Sequence, residues 1–140
     1  PIDYLYGVNQ VYADMYFSLT GESKLFGHST LLPEGTPKKK HYCIYPVYVK
    51  RGTIKSIQGI ESLEQSEAVV KTVVTKHAGD FVKRTGGFSQ NLALIHFLCD
   101  DAAELNDTIK LIHSTIKVTN ENGEDMLTEP LDIKNTAVIL

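Results

Sequence analysis

The chain has 140 residues, 42% apolar and 22% charged, a composition that suits one folded domain with its own core and argues against disorder. Its 14 basic and 17 acidic side chains leave a formal net charge of −3, so no broad positive field is available and no nucleic-acid partner is expected. No stretch approaches the roughly 20 apolar residues of a bilayer-spanning helix, and the N-terminus lacks the order of a signal peptide, so no membrane partner and a cytoplasmic location are expected.

From Asp3 to Leu19 the apolar residues Tyr4, Val8, Val11, Tyr12, Met15 and Leu19 recur at steps of three and four, which predicts an amphipathic helix. Leu5, Tyr6, Tyr16 and Phe17 widen the apolar surface beyond one stripe. Such a helix is expected to pack on more than one side, against this domain or against a neighbour. Gly21 is its expected stop. The following "ESKLFGHSTLLPEGTPKKKHY" is punctuated by glycine and proline and reads as a connection. Within it, "GESKLFGHS" fails as a phosphate loop: five residues separate its glycines, His28 stands where the lysine belongs, and a helix precedes it. Lys38, Lys39 and Lys40, with His41, make one short basic run without interleaved aromatics, which reads as a solvated loop.

"CIYPVYVKRGTIKSIQGI" is rich in β-branched and aromatic residues, and with a turn at Arg51-Gly52 it predicts a hairpin of Cys43 to Val49 and Thr53 to Ile60. Pro46 places the first arm at an edge or a bulge. Ser62 or Ser66 then caps an expected helix, with Glu64 and Glu67 near its positive end, a buried face of Val69, Val70, Val73, Val74 and Ala78, and Gly79 as its end. Phe81 to Thr85 and Asn91 to Leu98 flank "GGFSQ" as a second predicted hairpin, whose unbroken "LALIHFL" reads as a central strand buried on both faces. Asp100 and Asp101 open a helix with the stripe Ala102, Leu105, Ile109 and Ile112; Lys117 to Asn120 returns as a strand, and Asn122-Gly123 marks a turn. This order predicts an α+β fold of the split βαβ, ferredoxin-like kind: an antiparallel sheet with two helices on one face, preceded by the amphipathic N-terminal helix.

Chemistry is sparse. His28, His41, His77, His96 and His113 show no HExxH or other compact ligand spacing, and no CxxC pair accompanies them, so no metal site is expected. His96, between Ile95 and Phe97, reads as a hydrogen-bonded core imidazole, and His77 and His113 as helix-terminal cations that complement the dipole. Cys43 and Cys99 lie in apolar strand-like runs and read as small hydrophobes rather than a disulfide. Cys99 is the nearest candidate nucleophile, but the Asp100 anion beside it opposes a thiolate, and GxSxG is absent. The sets Glu61/Glu64/Glu67 and Asp100/Asp101/Glu104 are explained by helix starts. No catalytic residue is therefore expected. In the loop "KRTGGFSQN", Lys83 and Arg84 supply positive charge while Gly86 and Gly87 leave N–H groups open to an anion, although a flexible hairpin turn accounts for the same residues. Such a loop would contribute to a cleft without completing one.

"YGVNQVYADMYFSLTG" resembles the segment of ATP-grasp carboxylate-amine ligases that follows their metal-binding motif, with Asn9 where an acid is commoner. "GTIKSIQGIES", "HAGDFVKRTGG" and "LALIHFLCDDAAELNDTIKLIHSTIKV" are similar in order and spacing to the C-terminal domain of the L-amino acid ligase and carbamoyl phosphate synthase-like branch, with Gly52, Gly59 and Gly79-Asp80 at the matching positions. The likeness covers nearly the whole chain. It implies residues 1–27 as the end of an ATP-grasp region, 28–41 as a connecting loop and 42–140 as a C-terminal α+β domain. It also implies a parent that activates a carboxylate as an acyl phosphate with ATP and magnesium, for attack by an amine. In that family the nucleotide lysines, the glycine-rich lid and the Glu-x-Asn-x-Arg stretch precede the region matched by Tyr6 to Gly21. The chain itself is thus expected to hold no cofactor and to serve as a non-catalytic domain that shapes the parent's cleft. Its implied partner is the upstream ATP-grasp domain of the same protein, with a homodimer also open. A start at Pro1, just ahead of a helix with excess apolar surface, suits a piece of a larger protein. The alternative is a self-contained ferredoxin-like module that binds a small effector or dimerises; a small independent enzyme is a third reading.

Overall fold

Apolar periodicity near the N-terminus produces a helix, α1, over Gln10–Thr20. The computed structural model describes residues 10–24, 41–83 and 86–131, so the expected helical residues 3–9 lie outside the described residues. Gly21 closes α1 as predicted: its φ of 74° is costly for any residue with a Cβ, and its N–H donates to the Phe17 carbonyl at 2.8 Å. None of the α1 side chains is buried. The chain divides into two units, Pro1–Tyr42 and Cys43–Leu140.

The larger unit is α+β. Its elements are β1 (His41–Tyr48, which begins at the boundary), β2 (Gly52–Thr53), β3 (Ser56–Gln58), α2 (Ile60–Glu64), β4 (Val69–Val74), β5 (Phe81–Val82), a 3-10 turn (Phe88–Gln90), β6 (Asn91–Cys99), α3 (Ala102–Thr115) and β7 (Lys117–Thr119). The strands form a three-stranded sheet in the order β1-β6-β4 and two antiparallel ribbons, β2 with β5 and β3 with β7. β6 is the central strand that its unbroken apolar run predicts. Leu92, Ala93, Ile95, Phe97 and Cys99 are fully buried, while Leu94, His96 and Leu98 on the alternate positions are half-buried. β1 is an outer strand of this sheet, where Pro46 costs no ladder bond.

α3 also forms where expected, because local signals agree there. Asp101 caps it, accepting from the Glu104 N–H at 2.9 Å, and the Glu104 carboxylate accepts the N–H of Asp100, the residue before the cap, at 2.6 Å, so one helix-terminal donor is satisfied and the entering chain is fixed. Leu105, Ile109 and Ile112 are buried with Thr108, whereas Ala102 stays exposed. Gly123, at φ 78°, makes the expected turn, with its N–H donating to the Asn120 carbonyl.

Three expectations are corrected. β1 does not pair with 53–60. It pairs with β6, where it lies along the long central strand, while Gly52 and Thr53 pair with Val82 and Phe81 in a separate ribbon and Ser56–Gln58 pairs with β7. The helix expected from Ser62 or Ser66 to Gly79 stops at Glu64; Val69–Val74 is a strand in register with β6, Val73 opposite Leu94 and Val74 opposite Ala93. Four valines satisfy both periodicities, and their β-branched side chains fit the pleated surface better. Phe81–Val82 and β6 are likewise not a hairpin around "GGFSQ", since their partners are β2 in one case and β1 and β4 in the other.

Candidate functional site

The half-buried His113, in the last turn of α3, faces Tyr45 of β1: its Nε2 lies 2.9 Å from the hydroxyl and the rings meet edge-on at 5.8 Å. The Tyr45 oxygen also accepts the Leu131 N–H at 3.3 Å, and burial raises the phenol's pKa, so the phenol keeps its proton. Donation of that proton to Nε2 satisfies both side chains and leaves the neutral imidazole's own hydrogen on Nδ1. Burial lowers the pKa of His113, and the opposing pull of Glu129 and Asp125 does not outweigh it. The expected helix-terminal cation is therefore a neutral imidazole. His77 is corrected too. It sits in the turn after β4, its N–H held by the Asp80 carboxylate at 2.8 Å, and belongs to no helix.

Beside His113 opens a cleft of about 300 Å³, lined among others by Ser114, Lys117, Thr119, Asp125 and Leu127. Its polar lining is largely paired within the protein: Ser114 donates to the Leu111 carbonyl at 3.0 Å, Thr119 bonds the Ser56 hydroxyl at 2.8 Å, and Asp125 accepts the Leu127 N–H at 2.9 Å. The site pairs residues that sequence reasoning treated apart. One signal was present: His113 is four positions after Ile109, which puts it at the margin of the buried stripe.

The glycine loop is partly committed to its own structure. The Gly86 N–H is taken by the Gln90 side-chain oxygen, and the Gln90 amide nitrogen donates to the Val49 carbonyl at 2.9 Å, tying the loop to the end of β1. Lys83, Gly86 and Gly87 are exposed; Arg84 lies outside the described residues. Next to the loop, Asn91 is 1% exposed, and its side-chain oxygen and nitrogen have no hydrogen-bond partner among the described residues.

Cys43 of β1 and Cys99 of β6 bring their sulfurs to 3.4 Å. Burial pushes the Cys99 thiol up to about 12, reinforced by the Cys43 thiol and by the Glu104 and Asp100 carboxylates. The low nucleophilicity expected for Cys99 agrees with that direction. Among the described residues no three His, Cys, Asp or Glu side chains gather as a metal site, and no helix is long and apolar enough to cross a membrane.

Neither a family model nor a curated protein matches the chain. Among solved structures, an L-amino acid ligase from Bacillus licheniformis is similar: the TM-score is 0.63 at 17% identity, covering 86% of this chain and 28% of the ligase. The chain thus spans little more than a quarter of that protein's length, and what the two share is a fold.

Proposed function

We propose that the chain is the C-terminal, non-catalytic domain of an ATP-grasp ligase, a module that packs on and shapes the cleft in which a parent enzyme activates a carboxylate for attack by an amine. The observation that carries this reading is the fold likeness across 86% of the chain to part of an L-amino acid ligase. The sequence resemblance points to the same protein class. The ferredoxin-like arrangement is the finer form of the fold proposal. It is supported by the order β1-β6-β4 and by the bridge of Val49 to Leu127, which sets one further strand position outside β1.

ATP and magnesium would be bound by the upstream ATP-grasp domain. Two observations are consistent with that division: among the described residues no three His, Cys, Asp or Glu side chains gather, and one of the two glycine N–H groups proposed for an anion is already used by Gln90. In this reading the Lys83–Gly87 loop, Arg84 included, contributes at most an edge to the parent's cleft. Support for an upstream partner comes from α1, where Val11 is 68% and Leu19 83% exposed, with Met15 between them on the same face. No nucleic-acid partner and a cytoplasmic location complete the proposal.

Calorimetric titration of the purified chain with ATP and magnesium tests the reading. No binding and no nucleotide hydrolysis are expected; turnover by this chain alone overturns it. The second reading, a self-contained effector-binding or dimerising module, is favoured by the polar cleft at His113. A coding frame that continues upstream of Pro1 supports the ligase domain, and a start codon immediately before it supports the module.

A further inference from the structure

The thiols of Cys43 and Cys99 are 56 positions apart in sequence and in contact in space. They sit on adjacent strands, at the beginning of β1 and the end of β6. A disulfide needs the sulfurs at about 2.05 Å, so closure from 3.4 Å asks for a displacement of about 1.4 Å, within reach of small side-chain rotations. The two sulfurs also differ in access: Cys43 is half-buried, and Cys99 is 0% exposed. A reagent in solution therefore meets Cys43 first. The burial and the neighbouring carboxylates that hold Cys99 protonated also keep it from reacting on its own.

Two thiols in contact could instead ligate a soft metal. Among the described residues no third His, Cys, Asp or Glu joins them.

We propose that Cys43 and Cys99 form an oxidative modification site in which Cys43 is thiolated by a small disulfide of the glutathione class and Cys99 resolves the adduct into an internal cross-strand disulfide. In the first step the Cys43 thiolate attacks one sulfur of the small disulfide, a new S–S bond forms, and one small thiolate leaves. In the second, Cys99 gives up its proton and attacks the Cys43 sulfur, and the second small thiol leaves with that proton. Two protein thiols are oxidised and one small disulfide is reduced to two thiols. The bond joins the outer strand β1 to the central strand at the residue where the larger unit begins. Oxidation thus clamps the entrance of that unit without involving the cleft at His113.

The test equilibrates the full chain with mixtures of reduced and oxidised glutathione, quenches in acid, alkylates the remaining thiols and measures mass. At the oxidising end the wild type is expected to lose two hydrogens, to take up no alkylating agent and to run as a monomer without reductant. A tryptic map should join the peptides of Cys43 and Cys99. Cys99→Ser is expected to stop with one glutathione on Cys43, and Cys43→Ser to acquire neither adduct nor bond. The oxidised wild type should unfold at higher temperature than the reduced, a shift abolished by dithiothreitol. Retention of both wild-type thiols, a bond only between chains, or thiolation of Cys99 in Cys43→Ser as readily as of Cys43 in the wild type overturns the proposal. If Cys99→Ser fails to fold by circular dichroism, the wild-type peptide map decides alone.

Discussion

Two stretches of the larger unit share one outline, strand then helix then strand, and differ in how firmly the helix is built. In β6-α3-β7 the helix has fourteen residues, a side-chain cap at Asp101 and a buried stripe at three- and four-residue spacing. In β3-α2-β4 it has five, its N-cap is Gly59 in a left-handed conformation, and no side chain bonds to its first turn. The contrast shows what decides between helix and strand when both patterns are present. Where caps and stripe agree over several turns, local energy suffices. Where they do not, a run of valines goes to the sheet as soon as a partner strand is available, because nucleating a helix costs more than its few bonds return.

The contrast can be broken most forcefully at the strand both stretches lean on. Phe97, fully buried in β6, should cost about 3–5 kcal/mol as Phe97→Ala, read as a lower urea midpoint with an unchanged slope. A loss below about 1 kcal/mol would mean that β6 is not the common support. The joint between the two helices comes next. At Gly59 a Cβ would stand 2.1 Å from the Thr115 carbonyl oxygen, at a φ of +91° that already excludes most side chains. Gly59→Ala should therefore lose more than about 1 kcal/mol in the same assay, since the added methyl meets backbone that has nowhere to go. If it proves neutral, the start of α2 does not abut the end of α3.

Asp101→Ala sharpens the comparison from the other side. It removes the acceptor for the Glu104 N–H and should cost about 1 kcal/mol, while Ser62→Ala, at a position that caps nothing in α2, should cost almost nothing. Equal losses would remove the distinction between a capped and an uncapped helix.

A smaller effect should appear with pH. His113 and His96 both fold with pKa values below the ordinary 6.5, so the unfolded chain is the better proton binder in the window beneath it. Stability should be full above about pH 7 and fall as pH drops through 6.5 toward the lower folded values. His113→Gln should flatten part of that fall in urea midpoints; an unaltered slope would detach His113 from it. The smallest change is expected at Thr72, whose hydroxyl in β4 is buried with no hydrogen-bond partner among the described residues. Thr72→Val should be neutral or stabilising by up to about 1 kcal/mol, and a clear loss would reveal a partner for that oxygen.

The readable parts of this protein are those whose causes lie within a few residues: the glycine stop after α1, the Asp101 cap and its stripe, the Asn122-Gly123 turn, and the apolar run of β6. The sequence by itself determined these because capping, periodicity and turn geometry act over one or two turns of chain. Tertiary structure decided the rest. β1 went to β6 instead of to its neighbour in sequence, and Val69–Val74 became a strand because β6 was there to receive it. Burial lowered the pKa of His113 and set it against Tyr45, 68 positions away, and two unremarkable cysteines became a pair across 56 positions. A local pattern says which conformations a segment tolerates, but pairing and burial depend on what distant chain brings alongside, and those contacts carry enough energy to overrule it.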